Sequence, residues 1–191
     1  MCIRDSRWVV YYSPLLEEEF RARHKRPVNG CWRMDETYLK IKGRDVYLYR
    51  AVDKYSDMID FKLSNKRDKN AAFSFFRKCI NQQGLPQKVT MDKSGANKAG
   101  IDEVNFQLAL LFMLGGLFQQ IQVRQIKYLN NIIEQDHRGI KRITKAMMGF
   151  KEFHAAAATI AGIELHRMLR KGQHLQAANM TIFEQFYSLA A

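Results

Sequence analysis

The chain has 191 residues, enough for one domain with a sizeable core or one domain with appendages. Hydrophobic residues make up 47% and charged residues 26%, the ordinary balance of a soluble globular protein. Lys and Arg outnumber Asp and Glu by 31 to 19, a net charge of +12, and an excess of this size points to nucleic acid or an anionic membrane as partner. On charge alone, a basic protein that binds nothing in particular stays open.

Cys2, Cys31 and Cys79 are scattered, with no Cys-x-x-Cys pair and no His pair at zinc-ligand spacing. That argues against structural zinc and for a reducing compartment, the cytoplasm. No signal peptide is visible. The most apolar stretch, Val104 to Leu117, is interrupted by Asn105 and Gln107 and ends at Gly115-Gly116. It is shorter than the roughly 20 residues a bilayer needs, so a buried helix is expected and no membrane partner.

The opening Met1 to Ser6 reads as foreign to the rest of the chain. Tyr12 to Arg26 predicts a short helix with Ser13 as N-cap and Pro14 in its first turn. It ends in the basic run Arg21, Arg23, His24, Lys25, Arg26, then Pro27 and Gly30. Residues 1–29 are expected to be a remnant and basic linker, 30–172 the main folded domain and 173–191 a tail. Three hairpin-linked strands come next, Cys31 to Lys42, Val46 to Asp53 and Met58 to Ser64, with turns at 42–45 and 54–57. Asp68 to Asn81 predicts a helix whose inner face holds Ala71, Ala72, Phe75, Phe76, Cys79 and Ile80. Gly84-Leu85-Pro86 breaks it, and Lys88 to Met91 is a short strand ending at Asp92. Then come a helix over Asp102 to Leu114, a strand over Phe118 to Arg124, and helices over Asn130 to Lys145 and Phe150 to Arg170. No internal repeat is visible. Three antiparallel strands, a helix and a further strand are the opening of a ribonuclease-H-like fold. The expected architecture is α/β, a mixed five-stranded sheet flanked by helices.

Three carboxylates stand out: Asp35 in Trp32-Arg33-Met34-Asp35-Glu36-Thr37-Tyr38, Asp92 after Val89-Thr90-Met91, and Glu134 in Asn130-Asn131-Ile132-Ile133-Glu134-Gln135-Asp136-His137-Arg138. Acids beside apolar strands are costly unless paired or bound to metal. Asp35 shares a strand face with Arg33 and Thr37, opposite Met34. Asp92 leaves the sheet at a strand end, where ligand sites form in open α/β sheets. At 100° per residue, Glu134, Arg138, Lys141 and Lys145 share one helix face, and Leu129, Ile133, Ile140, Ile143 and Met147 form another. A metal-binding carboxylate and a cationic stripe for a phosphate backbone then sit together, with Arg142 beside the stripe. The competing structural reading of Glu134 with Arg138 is an ordinary i,i+4 ion pair, and Asp92 also suits an Asx turn. The rival acids are Glu36, Asp53, Asp60, Asp102 and Glu103. Asp53 is expected to cap locally, Asp136 to form a buried pair with an arginine, His137 to be structural, and Asn130 or Asn131 to cap its helix.

The runs Trp32 to Lys42, Tyr47 to Lys54, Lys127 to Arg142 and Gly149 to Gln173 resemble the Asp-Asp-Glu transposases of bacterial insertion sequences, more narrowly the insertion sequence six family. The similarity runs from Arg7 to Leu175. It implies that Asp35, Asp92 and Glu134 hold Mg²⁺, with Mn²⁺ a possible substitute, for end cleavage and strand transfer on DNA. It also implies that Lys141, seven residues past Glu134 (141 − 134), grips the transposon end. Replicative transposition and a homodimer that pairs two ends are further implications. Relatives carry a helix-turn-helix upstream of the region matching Trp8, so a truncated frame is expected, and a non-catalytic DNA-binding fragment is the alternative function. The interval from Asp92 to Glu134, 134 − 92 = 42 positions, is longer than is usual in the family, with the extra length in Val104 to Gly116.

Overall fold

The structure, a computed structural model, describes residues 3–116, 119–126 and 130–190, with side chains from Arg7 onward. Cys2, Leu117, Phe118 and the Lys127-Tyr128-Leu129 start of the motif lie outside the described residues. The chain divides into two compact units, one formed by Met1–Pro27, Lys40–Arg44 and Met147–Ala191, the other by Val28–Leu39 and Asp45–Ala146.

The second unit carries the sheet. Strands β1 (Cys31–Ile41), β2 (Arg44–Asp53), β3 (Met58–Ser64), β4 (Lys88–Met91) and β5 (Gln122–Gln125) lie in the order β3-β2-β1-β4-β5. β2 and β3 run antiparallel with a register shift at Ala51/Val52, while β4 is parallel to both β1 and β5. This is the mixed five-stranded sheet expected. The turn between β1 and β2 has φ of 50° at Lys42 and 75° at Gly43, the two positive values a two-residue hairpin loop demands. Asp53 organises the next turn, as expected. Its Oδ1 accepts from the Tyr55 and Asp57 amides and its Oδ2 from the Asn29 amide.

Helix α2 (Lys69–Gln83) starts at Asp68, which accepts from the Ala71 amide, and ends at Gly84 with φ 76°. Its Ala71, Ala72, Phe75, Phe76 and Cys79 are buried against Trp32, Met34, Tyr49, Ala51, Ile59, Val89 and Met91, so the predicted inner face holds. Helix α3 spans Gly95–Met113 and begins seven residues before the expected Asp102 (102 − 95). Asn97 and Gly100, poor helix formers, mask its first turns. The packing explains the glycine: a Cβ at residue 100 would lie 2.8 Å from Ala72 Cβ and 2.9 Å from the Phe73 nitrogen.

The expected burial of Val104 to Leu117 is corrected. Ile101 and Val104 are buried, but Phe106, Leu110, Leu111, Phe112, Met113 and Leu114 are 47–80% exposed. The helix outruns the surface of α2 that its first half covers. β5 is shorter than expected, because Ile121 is held by a side chain: its amide donates to Asn105 Oδ1 and its carbonyl accepts from Asn105 Nδ2.

Helix α4 (Asn131–Ala146) buries Ile133, Asp136, His137, Ile140 and Thr144. Here the apolar face read from the sequence is partly wrong. Ile143 and Met147 are about two-fifths exposed, and the polar Asp136, His137 and Thr144 take buried positions. Asp136 pairs with the fully buried Arg50 of β2, the arginine partner expected for it. Burying a charge so deeply is tolerable only with a partner.

In the first unit, α1 (Ile3–Glu19) continues into a π-helical turn, Phe20–His24, and packs on α5 (Phe153–Arg170). Ser13 and Pro14 are therefore interior to the helix, not its start. Ser13 lies against Gly162 of α5, where a Cβ would meet its Oγ at 2.7 Å, so close helix packing and not capping decides that position. α5 begins three residues later than expected (153 − 150), because Phe150 is held in a bridge with Ile41 by bonds to Lys40 O and from the Lys42 amide. A short helix α6 (Ile182–Tyr187), capped by a Thr181–Glu184 box, and a 3₁₀ turn with buried Leu189 complete the described chain. Among the described residues no helix is long and apolar enough to cross a membrane.

Candidate metal centre

The site is assembled by strand register. β1 and β4 are parallel with Cys31 opposite Lys88, an offset of 88 − 31 = 57. Since 92 − 35 is also 57, Asp35 on β1 stands level with Asp92 just past the end of β4. One oxygen each from Asp35, Glu36 and Asp92 lies within 4.8 Å of the other two, the acidic group of this kind found among the described residues. That span is close to the roughly 4.2 Å across one octahedral Mg²⁺ shell. The donors are all carboxylate oxygens, which suit a hard divalent cation.

The electrostatics agree. Burial, then the charges of Glu36 and Asp92, raise the Asp35 carboxyl from 3.8 to about 7, with Glu134 adding to the effect. A carboxylate so disfavoured is ready for a cation. Asp92 also uses Oδ1 to accept from the Ser94 amide at 3.0 Å, so the Asx turn and the cluster coexist.

Glu134 is exposed, on the first turn of α4, and lies outside the 4.8 Å group, yet it is near enough to act on Asp35. Asn130 brings it there. The Asn130 Nδ2 donates to the Met34 carbonyl, one residue before Asp35, so this side chain ties the start of α4 to β1. His137, buried on the same helix, puts Nδ1 3.7 Å from Asp35 Oδ2.

Arg138, Lys141, Arg142 and Lys145 are all exposed on α4, as the helical spacing predicts. Lys141 Nζ sits over the ring of the exposed Tyr38, 5.0 Å from its centroid. Tyr38, three residues past Asp35, is not among the residues the sequence singles out, and its only signal there is an aromatic on an otherwise polar strand position. Glu36 reads from sequence as a rival acid, and Arg67 and Asn97, which bind it, carry no sequence signal at all. The other rivals are engaged elsewhere: Asp60 with Lys78, Asp102 with Lys98 and Glu103 with Lys69.

Comparison with known proteins fits this geometry. The family model described as a DDE domain, of the IS240-type transposases, matches residues 29–173. The transposase for the insertion sequence-like element IS431mec of Staphylococcus aureus (strain Mu50) is 38% identical over 159 residues, covering 83% of this chain and 65% of that protein. The transposase for insertion sequence element IS257 in transposon Tn4003 of Staphylococcus aureus shows the same identity and coverage. The chain thus spans about 65% of the length of these curated relatives. Among solved structures, the dimeric form of the HTLV-2 integrase catalytic core domain superposes with a TM-score of 0.53 at 17% identity, over 75% of this chain and 90% of that one. That likeness establishes the ribonuclease-H-like fold. The chain belongs to the insertion sequence six family of DDE transposases.

Proposed function

We propose that this chain, through residues 30–172, carries the catalytic part of a transposase that cleaves the ends of an insertion sequence and joins them to target DNA. The observation that carries the reading is the level placement of Asp35 on β1 and Asp92 just past the end of the neighbouring parallel β4, with Glu134 held close by the Asn130 bond to β1. Family membership supports it. Asp35, Asp92 and Glu134 are the residues that would hold the cation, Mg²⁺ with Mn²⁺ as substitute. Once bound, a divalent cation neutralises charge on phosphate oxygens and lowers the pKa of water.

The chain's own residues supply position and charge. Asp35, raised to about 7, would have to be deprotonated to hold a cation, and a bound cation would favour that charged form. Arg138, Lys141, Arg142 and Lys145 line the exposed face of α4 and grip the sugar–phosphate backbone. In the first step water displaces a DNA 3′-oxygen at the element's end, breaking one P–O bond and forming another. In the second step that 3′-hydroxyl attacks a target phosphodiester and the target 3′-oxygen leaves. Neither step needs a covalent protein intermediate. Two chains pair two ends as a homodimer, working on DNA in the bacterial cytoplasm.

A strand-transfer assay on a labelled element end tests the reading. Mg²⁺-dependent joining to target DNA is expected. DNA binding with no product favours a non-catalytic fragment, and cutting with no joining favours a nuclease on the same scaffold.

A further inference from the structure

Glu36 lies next to the strongest metal-ligand candidate and is part of the same acidic group. Its two oxygens are nevertheless occupied. Oε1 accepts from Nε and Nη2 of Arg67, in the loop that precedes α2, and Oε2 accepts from Asn97 Nδ2 at 2.6 Å. The Glu36 side chain is only 5% exposed, and Asn97 is fully buried in the first turn of α3. Turning the Asn97 amide over would set its oxygen against the carboxylate, so the network fixes the amide's orientation.

These contacts join three segments. Glu36 is on β1 beside Asp35. Asn97 opens the helix that follows Asp92, five residues on (97 − 92). Arg67 precedes Asp68, the N-cap of α2. Burial works against the Arg67 charge, but Glu36 and then Asp92 outweigh it and hold its pKa above the ordinary value.

We propose that Glu36 is a positioning residue and not a metal ligand: held by Arg67 and Asn97, it locks the Asp92 loop against β1 so that Asp35 and Asp92 meet one cation. The proposal rests on the reading that these two aspartates bind a divalent cation. It assigns the third carboxylate of the group a different task from the other two. The clamp matters because Asp92 lies beyond the end of β4, where ladder bonds no longer set its place. The Asx bond to Ser94 shapes the loop internally, whereas the Glu36–Asn97 bond ties the start of α3 to β1.

Mn²⁺ titration of the full chain, followed by electron paramagnetic resonance without DNA, tests it. Asn97→Ala removes no charge and no carboxylate of the acidic group, and the amide turns its nitrogen toward Glu36; it is nevertheless expected to weaken Mn²⁺ binding about tenfold, as loss of a group that orients ligands does. Glu36→Gln should weaken binding to a similar degree, and the double variant no further, since both act through one contact. Asp35→Asn sets the scale for loss of a true ligand. Arg67→Lys keeps the charge but loses the paired N–H contact, and should weaken binding about threefold by the same argument. It leaves the buried amide alone, so it decides the matter if Asn97→Ala does not fold. Unchanged binding in both Asn97→Ala and Arg67→Lys, or a loss in Glu36→Gln as large as in Asp35→Asn, overturns the proposal. No Mn²⁺ binding by the unaltered chain would instead overturn the metal reading beneath it.

Discussion

Replacing Asp35 by Asn should make the metal-free protein more stable and remove a pH dependence. The unfolded carboxyl has the ordinary value of 3.8, and in the fold burial, Glu36 and Asp92 raise it to about 7. Between those values the folded chain keeps a proton that the unfolded chain has released. Asp35 therefore makes stability fall as pH rises from about 4 to about 7, with no further change above. A rise from 3.8 to about 7 corresponds to about 4 kcal/mol, and the side chain is 16% exposed, so screening from the open side brings the expectation to about 2–4 kcal/mol. Urea unfolding in chelator, at steps from about pH 4.5 to about pH 8, measures it across that window. Other carboxylates contribute slopes of their own, so the quantity to read is the difference between variant and parent. That difference should grow with pH and level off near neutrality, and Mn²⁺ added at the alkaline end should stabilise the parent more than the variant. Parallel curves across the whole range would refute the claim that Asp35 is an electrostatically strained member of the cluster.

Lys141→Ala should lower the salt slope of DNA binding by about one unit and leave Mn²⁺ affinity unchanged, since the proposed function gives this exposed lysine of α4 one phosphate contact. An unaltered slope would return Lys141, and its contact with Tyr38, to a solvated surface. Asp136→Ala removes the carboxylate that pairs with the fully buried Arg50 and should cost about 3–5 kcal/mol in urea unfolding, against which a loss under about 1 kcal/mol would argue. Gly100→Ala pushes a methyl to within 2.8 Å of Ala72 Cβ, so α3 must shift against α2 at a cost of about 1–3 kcal/mol. A neutral result there would mean the two helices are not in firm contact.

The sheet and most helices are legible in the sequence because local patterning and packing agree in them. α2 is an example: Asp68 caps it, Gly84 ends it and its inner face is apolar. The misses fall where packing between elements overrides local signals. The helix expected from Asp102 in fact includes Gly100, which lies in close approach to α2, and Ser13 reads as a cap and in fact seats against Gly162. The apolar end of α3 reads as core because hydrophobicity reports composition, not what lies opposite. In the site, Asp35 is visible as an acid on a strand and Asp92 as one just past a strand end, but their level placement depends on a strand pairing that no local pattern encodes. Arg67 and Asn97 are invisible for the same reason, being 31 and 61 residues from Glu36 in sequence.

The central claim is that Asp35, Asp92 and Glu134 act together on one phosphodiester, and Glu134 is the member whose place is least constrained by the sheet. Glu134→Gln keeps the shape of the side chain and removes the charge. Nicking of a labelled element end in Mg²⁺, measured beside DNA affinity for parent and variant, is the direct test. No product above background is expected from the variant, with DNA affinity within about twofold because the cationic face of α4 is intact. Mg²⁺-dependent nicking retained by Glu134→Gln would contradict the claim.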